Sequence, residues 1–163
     1  LSGEKYLIFT VPYMVGKELL YFNTGYTPEF SWSDFSDLIP FTIGLVQGYT
    51  YGEKFLEAIA KYNLKIEYAD STETNIKKLA AGRVDLIVEE SFVTETFLSR
   101  HPDWKVQISS SENPVAEYYY HMAFHREDRF KPFITKVNSL LLEMKANSSI
   151  QSVIDKYTGE QNN

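Results

Sequence analysis

From Phe41 to Ser109 the chain repeats one pattern: a short apolar run, a turn, then an amphipathic stretch of helical period. "FTIGLVQG" reads as a strand ending at Gly48, and "YGEKFLEAIAKYN" as a helix with Phe55, Leu56, Ile59 and Ala60 on one face. Leu64 to Tyr68 is the next strand. In "DSTETNIKKLAAGR", Asp70 is the expected N-cap, Glu73 its capping-box partner and Gly82 the C-terminal cap. Val84 to Val88 is nearly continuous in apolar residues, as in a strand covered on both faces. "SFVTETFLSRH" is a helix that Pro102 stops, and "KVQIS" is a further strand. Such alternation predicts an α/β sandwich around a largely parallel sheet.

The flanks follow other rules. Lys5 to Thr10 reads as a buried strand closed by Pro12, and Lys17 to Phe22 as a second strand. Asn23 to Pro40 is rich in turn residues and aromatics, with a short helical turn expected over Ser33 to Leu38. Beyond the alternating region, Glu117 to Phe124 is extended and aromatic. Helical patterns then run from Phe130 to Met144 and from Ser149 to Tyr157. Those helices have no strands left to cover, so they are expected in a different lobe. At 163 residues the chain suits one domain, or one and a half small lobes.

Several function classes are disfavoured. A formal charge of -6 and the lack of a basic run argue against a nucleic-acid partner. No cysteine is present, which excludes thiolate metal sites, disulfides and a Cys nucleophile. His101, His121 and His125 lack metal-ligand spacing on one helix and read as surface or hinge residues, so neither metal nor cofactor is expected. No apolar run approaches the ~20 residues that span a bilayer, and no secretory signal is visible.

Ligands of open α/β sheets sit at the carboxyl ends of the strands. Two such ends stand out. In "VQGYTYGEKF" a strand passes through Gly48 and Gly52 into a helix N-terminus, whose free N–H groups can receive an anion; an ordinary βα loop has the same pattern. At the end of "GRVDLIVEE", Glu89 and Glu90 point to opposite faces because side chains alternate along a strand. One can face a cleft and pair with a ligand ammonium while the other faces water.

Taken together, "FTVPY", "DLIPFTIGLVQGYTYGEKF", "KKLAAGRVDLIVEE" and "MAFHRED…VNSLLLEMKANSSIQSVIDKYTG" resemble the bacterial periplasmic solute-binding proteins of amino-acid ABC transporters, extracellular solute-binding protein family 3. The resemblance implies a type II periplasmic-binding-protein-like α/β fold with lobe II complete and lobe I partial. Residues 1–19 would form the partial lobe I strand and first crossover, residues 20–117 lobe II, and residues 118–163 the second crossover and C-terminal lobe I helices. It further implies capture of an amino acid or related amine between the lobes, without catalysis, for a membrane ABC permease in the periplasm. Glu90 falls on the acid that pairs with the ligand ammonium, with Glu89 its outward neighbour. Gly48, Tyr49, Thr50 and Tyr51 match the loop whose backbone receives the ligand carboxylate, and Tyr13 a rim aromatic.

Two departures accompany the resemblance. Gly3 stands about where the family has its carboxylate-binding Arg, which leaves a free carboxylate without a bidentate partner. The first half of lobe I has no counterpart, so the chain is expected to be part of a longer protein or to be completed by exchange between two copies in a homodimer. Other roles on this scaffold are a sensor domain of a signalling protein, against which the closing "YTGEQNN" reads as a chain end, and a dehydratase-like enzyme using Glu89 or Glu90 as acid or base.

Overall fold

The computed structural model describes residues 6–158. The expectations placed on Gly3, on Lys5 at the start of the first strand and on the closing residues 159–163 lie outside the described residues. In chain order the elements are β1 (Leu7–Phe9), β2 (Met14–Asn23), a 3-10 turn (Phe35–Leu38), β3 (Thr42–Val46), α1 (Glu53–Tyr62), β4 (Lys65–Ala69), α2 (Thr72–Ala80) and β5 (Leu86–Glu90). They continue with α3 (Ser91–Ser99), α4 (Pro102–Lys105), β6 (Ile108–Ser110), β7 (Ala116–Tyr120), β8 (Ala123–His125), a 3-10 turn (Asp128–Phe130), α5 (Lys131–Ala146) and α6 (Ser149–Thr158). Two compact units result: Lys17–Glu117, and the flanking segments up to Gly16 and from Tyr118 onward.

In the Lys17–Glu117 unit the strand order is β4-β3-β5-β2-β6, and β7 also pairs with β2. β3 runs parallel to both β4 and β5. β2 lies antiparallel to β5 and to β6, so β6 shares the direction of β5. The sheet is therefore largely parallel with one reversed strand near its centre. Both faces are covered. Leu20, Phe22, Ile43, Leu45, Phe55, Leu86 and Val88 pack on the α1 side, and Tyr21, Ile76, Leu79, Ile87 and Leu98 on the α2 side. Alternate residues of β5 thus enter different cores, which is why its sequence is apolar throughout. Burying each large side chain contributes ~1.5–3 kcal/mol, so the two cores hold this unit together.

Local details depart from expectation in several places, among them "KVQIS", where Lys105 ends α4 and the strand is Ile108–Ser110. On α1 the buried face is Phe55 and Ala58 with Ile59 and Tyr62 half-buried, while Leu56 and Ala60 are exposed. The helix is rotated so that the i, i+3, i+4, i+7 stripe starting at Phe55 meets the sheet. At α2 the N-cap is Ser71, whose Oγ accepts from Thr74 N–H at 3.2 Å, and not Asp70. Glu73 is then the second helical residue, one short of the third position from which it could reach back to the cap, and it pairs with Lys77 at 2.6 Å instead. Gly82, with φ of +64°, lies just beyond α2 in the left-handed conformation that a glycine tolerates. Pro102 does not stop α3, which already ends at Ser99; it opens α4 as a first-turn residue with no N–H to satisfy.

In the other unit β1 and β8 form an antiparallel pair, with Ile8 opposite Phe124. Val11 N–H donates to Asn138 Oδ1 at 2.8 Å and Lys145 Nζ to the Pro12 carbonyl at 3.0 Å, tying the chain after β1 to α5. Ile134 and Leu141 are buried, whereas Phe9, Phe133, Leu140, Leu142 and Val153 stay exposed.

Candidate functional site

The parallel strands β3 and β5 end side by side, and their terminal residues build the candidate site. After Val46 the chain turns through Gly48, whose φ of +81° is the left-handed region that favours glycine. Tyr49 and Thr50 are exposed, while Tyr51 folds back into the core. Its hydroxyl accepts from Val46 N–H at 2.6 Å, which pins the loop to its own strand. Burial pushes the Tyr51 phenol far above its ordinary value, with the charges of Glu89 and Glu18 adding to the effect. The phenol is therefore neutral at any physiological pH.

Gly52 is the N-cap of α1, and its N–H donates to Oε2 of Glu18 at 3.0 Å. A Cβ here would approach the Ala116 Cβ to 2.5 Å, so glycine is required by contact and not by dihedral angle. Glu18 is only 7% exposed. It sits directly opposite Glu90 in the β2–β5 register. Residues facing each other across an antiparallel pair project from the same side of the sheet, with Cα atoms ~4.5–5.5 Å apart. Two carboxylates thus share the α1 side, in phase with Leu20 and Val88 below them.

Glu90 is the N-cap of α3: Oε2 accepts from Val93 N–H at 2.8 Å, and the Glu90 carbonyl accepts from Thr94 Oγ1 at 2.9 Å. Its Oε1 is buried and has no hydrogen-bond partner. Burial raises the affinity of Glu18 for a proton, the Gly52 N–H opposes that, and the neighbouring charge of Glu90 raises it again. Among the described residues no Lys, Arg or His forms an ion pair with Glu18, Glu89 or Glu90.

Glu89 is not the outward neighbour that strand alternation suggested. It does point away from Glu90, but toward α2, where it is 3% exposed. It accepts from Thr72 Oγ1 at 2.9 Å and Asn75 Nδ2 at 2.8 Å. Asn75 also donates to the Gly44 carbonyl at 3.1 Å, and its approach is possible because Gly44 has no side chain. Burial raises the Glu89 pKa against the pull of those two donors. Alternation correctly separates the faces; the helix that covers one of them was not legible.

The structure therefore brings Glu90 and the Gly48–Gly52 loop together through Glu18. Tyr13 belongs to the other unit, where its N–H donates to the Tyr120 carbonyl at 3.0 Å and the two rings lie 6.2 Å apart. Sequence reasoning missed Glu18. The signal was an acid at an inward position of a strand, two residues before Leu20 and four before Phe22. No group of three or more His, Asp or Glu among the described residues is placed to hold a metal ion. No helix among them is long and apolar enough to cross a membrane.

No protein-family model matches the chain, and no curated protein does. Solved structures do. The second substrate-binding domain of Lactococcus lactis GlnP matches with a TM-score of 0.74 at 16% identity, over 99% of this chain and 66% of that one. The L-cystine solute receptor of Neisseria gonorrhoeae matches with a TM-score of 0.75 at 12% identity, over 97% and 62%. An ancestral cationic amino-acid solute-binding protein matches with a TM-score of 0.75 at 18% identity, over 96% and 64%. The fold is that of the type II periplasmic binding proteins. At these identities the likeness concerns the fold alone. The chain spans about two thirds of the length of these type II structures.

Proposed function

We propose that this chain belongs to a solute-binding protein that captures a small amino acid or related amine and presents it to an ABC permease in the bacterial envelope, without catalysing a reaction. The observation that carries this reading is the Glu18–Glu90 pair: two neighbouring carboxylates with no ion-pair partner among the described residues, one of them bearing a buried oxygen without a hydrogen-bond partner there. A ligand ammonium supplies both the charge and the missing donor. Glu90 is the primary ammonium partner in this proposal. Gly48, Tyr49, Thr50 and Tyr51 shape the adjoining wall, and Tyr13 is proposed as a ligand-contacting aromatic of its own unit. Glu89, held by Thr72 and Asn75, positions the end of β5.

Several of the matched structures carry amino-acid ligands or names, among them arginine, glutamine and L-cystine. They support the amine class, and none selects a ligand for this chain. A thermal-shift panel of amino acids, amines and small organic acids tests the proposal. A ligand at ~100 times its dissociation constant adds ~2.7 kcal/mol, which raises the melting temperature by ~5–10 °C at this size. Stabilisation by amine-bearing compounds is expected. Stabilisation by organic acids alone would contradict the proposal.

A further inference from the structure

Resting on that reading, we infer that Glu18 determines specificity at the site and directs it toward amines that carry no carboxylate, such as alkyl diamines and guanidino amines. A zwitterionic amino acid needs two complementary seats, one for each charge. At the start of α1 the Gly52 N–H is already taken: it points at Glu18 Oε2, 3.0 Å away. The Tyr49 N–H is turned back to the Val46 carbonyl at 3.3 Å. The chain has thus placed its own carboxylate against the helix N-terminus.

That placement is enforced by packing. Glu18 is 7% exposed, its carbonyl accepts from Val115 N–H at 2.7 Å, and Gly52 is pressed against Ala116 so closely that no side chain fits between them. A ligand carboxylate arriving at Gly52 meets an occupied N–H and, above all, the two neighbouring acids Glu18 and Glu90. An ammonium or guanidinium meets two carboxylates, and Glu90 Oε1 has no hydrogen-bond partner among the described residues. This buried, unbonded oxygen is independent of the geometry at Gly52, and a ligand donor or an ordered water can satisfy it.

The test is isothermal titration of matched pairs that differ only in the carboxylate: lysine against 1,5-diaminopentane, ornithine against 1,4-diaminobutane, and arginine against agmatine. The wild-type chain is expected to bind at least one decarboxylated member ~10-fold or more tighter than its amino acid. Glu18→Gln is expected to narrow or reverse that ratio, since it removes the charge. Equal or tighter binding of the amino acid in all three pairs overturns the inference while leaving amine capture intact. An unchanged ratio in a folded Glu18→Gln chain also overturns it. Binding of neither member of any pair overturns the inference, and the amine reading beneath it falls only if the thermal-shift panel of amino acids and amines is silent as well. The wild-type ratio needs no variant, so a Glu18→Gln chain that fails to fold leaves the first arm decisive.

Discussion

Gly52→Ala isolates the contact that fixes the floor of the site. Gly52 has φ of -52° and ψ of 135°, which alanine adopts freely, so any cost comes from the new methyl group. That methyl would lie 2.5 Å from the Ala116 Cβ and 3.8 Å from its Cα, and the strand must move to admit it. Overpacking of this kind costs ~1–3 kcal/mol, and at ~2–4 °C per kcal/mol the melting temperature should fall by ~2–12 °C. Ala116→Gly alone should cost ~0.5–1 kcal/mol through chain entropy. In the double variant the methyl groups no longer collide, so stability should recover by ~1–2 kcal/mol relative to the sum of the single changes. Urea unfolding of the four chains measures the cycle. Because the Gly52 N–H holds Glu18, affinity for the bound amine should fall in Gly52→Ala and return in the double variant. Additivity within ~0.5 kcal/mol would refute the packing argument.

Two further predictions concern acids and caps. Glu18 and Glu89 both hold protons more tightly in the folded chain than when unfolded, chiefly because they are buried. The unliganded fold should therefore lose stability as pH rises from the ordinary carboxylate range through their raised values. Glu89→Gln should flatten that slope in urea unfolding at a series of pH values. Amine binding should show the opposite trend, weakening as pH falls through the same window, because protonating Glu18 removes the charge the ligand meets. Ser71→Ala should destabilise the chain by ~0.5–2 kcal/mol through loss of the α2 cap, whereas Asp70→Ala should stay within ~0.5 kcal/mol. Circular dichroism melts of the two variants separate the assignments.

The alternating elements from β3 to α3 were legible because each strand is apolar on both faces and each helix carries its own stripe and turn. Thr42–Val46, Glu53–Tyr62 and Leu86–Glu90 lie close to where period and punctuation put them. What was not legible depends on partners distant in sequence. Nothing in "GKELLYFN" says that this strand enters antiparallel between β5 and β6. Without that register, Glu18 cannot be placed opposite Glu90. The direction of Glu89 likewise waits on Thr72 and Asn75, 17 and 14 residues away, which turn an apparently solvent-facing acid into a buried one. On α1 the period was visible, but two overlapping apolar stripes competed, and only the sheet decides between Leu56 and Ala58. An acid closing a buried strand is visible in the sequence itself, but the choice of Glu90 over Glu89 comes from the family resemblance.

The central claim is that Glu90 binds a ligand cation, and the direct measurement is a calorimetric titration of one bound amine into the wild-type chain and Glu90→Gln. Glutamine keeps an oxygen able to accept from Val93 N–H, so the α3 cap survives while the charge is removed. A hydrogen bond to a charged group is worth ~1.5–3 kcal/mol, and the account predicts a ~10- to 100-fold loss of affinity in a variant with an unchanged melting temperature. Equal affinity in the two folded proteins would contradict it.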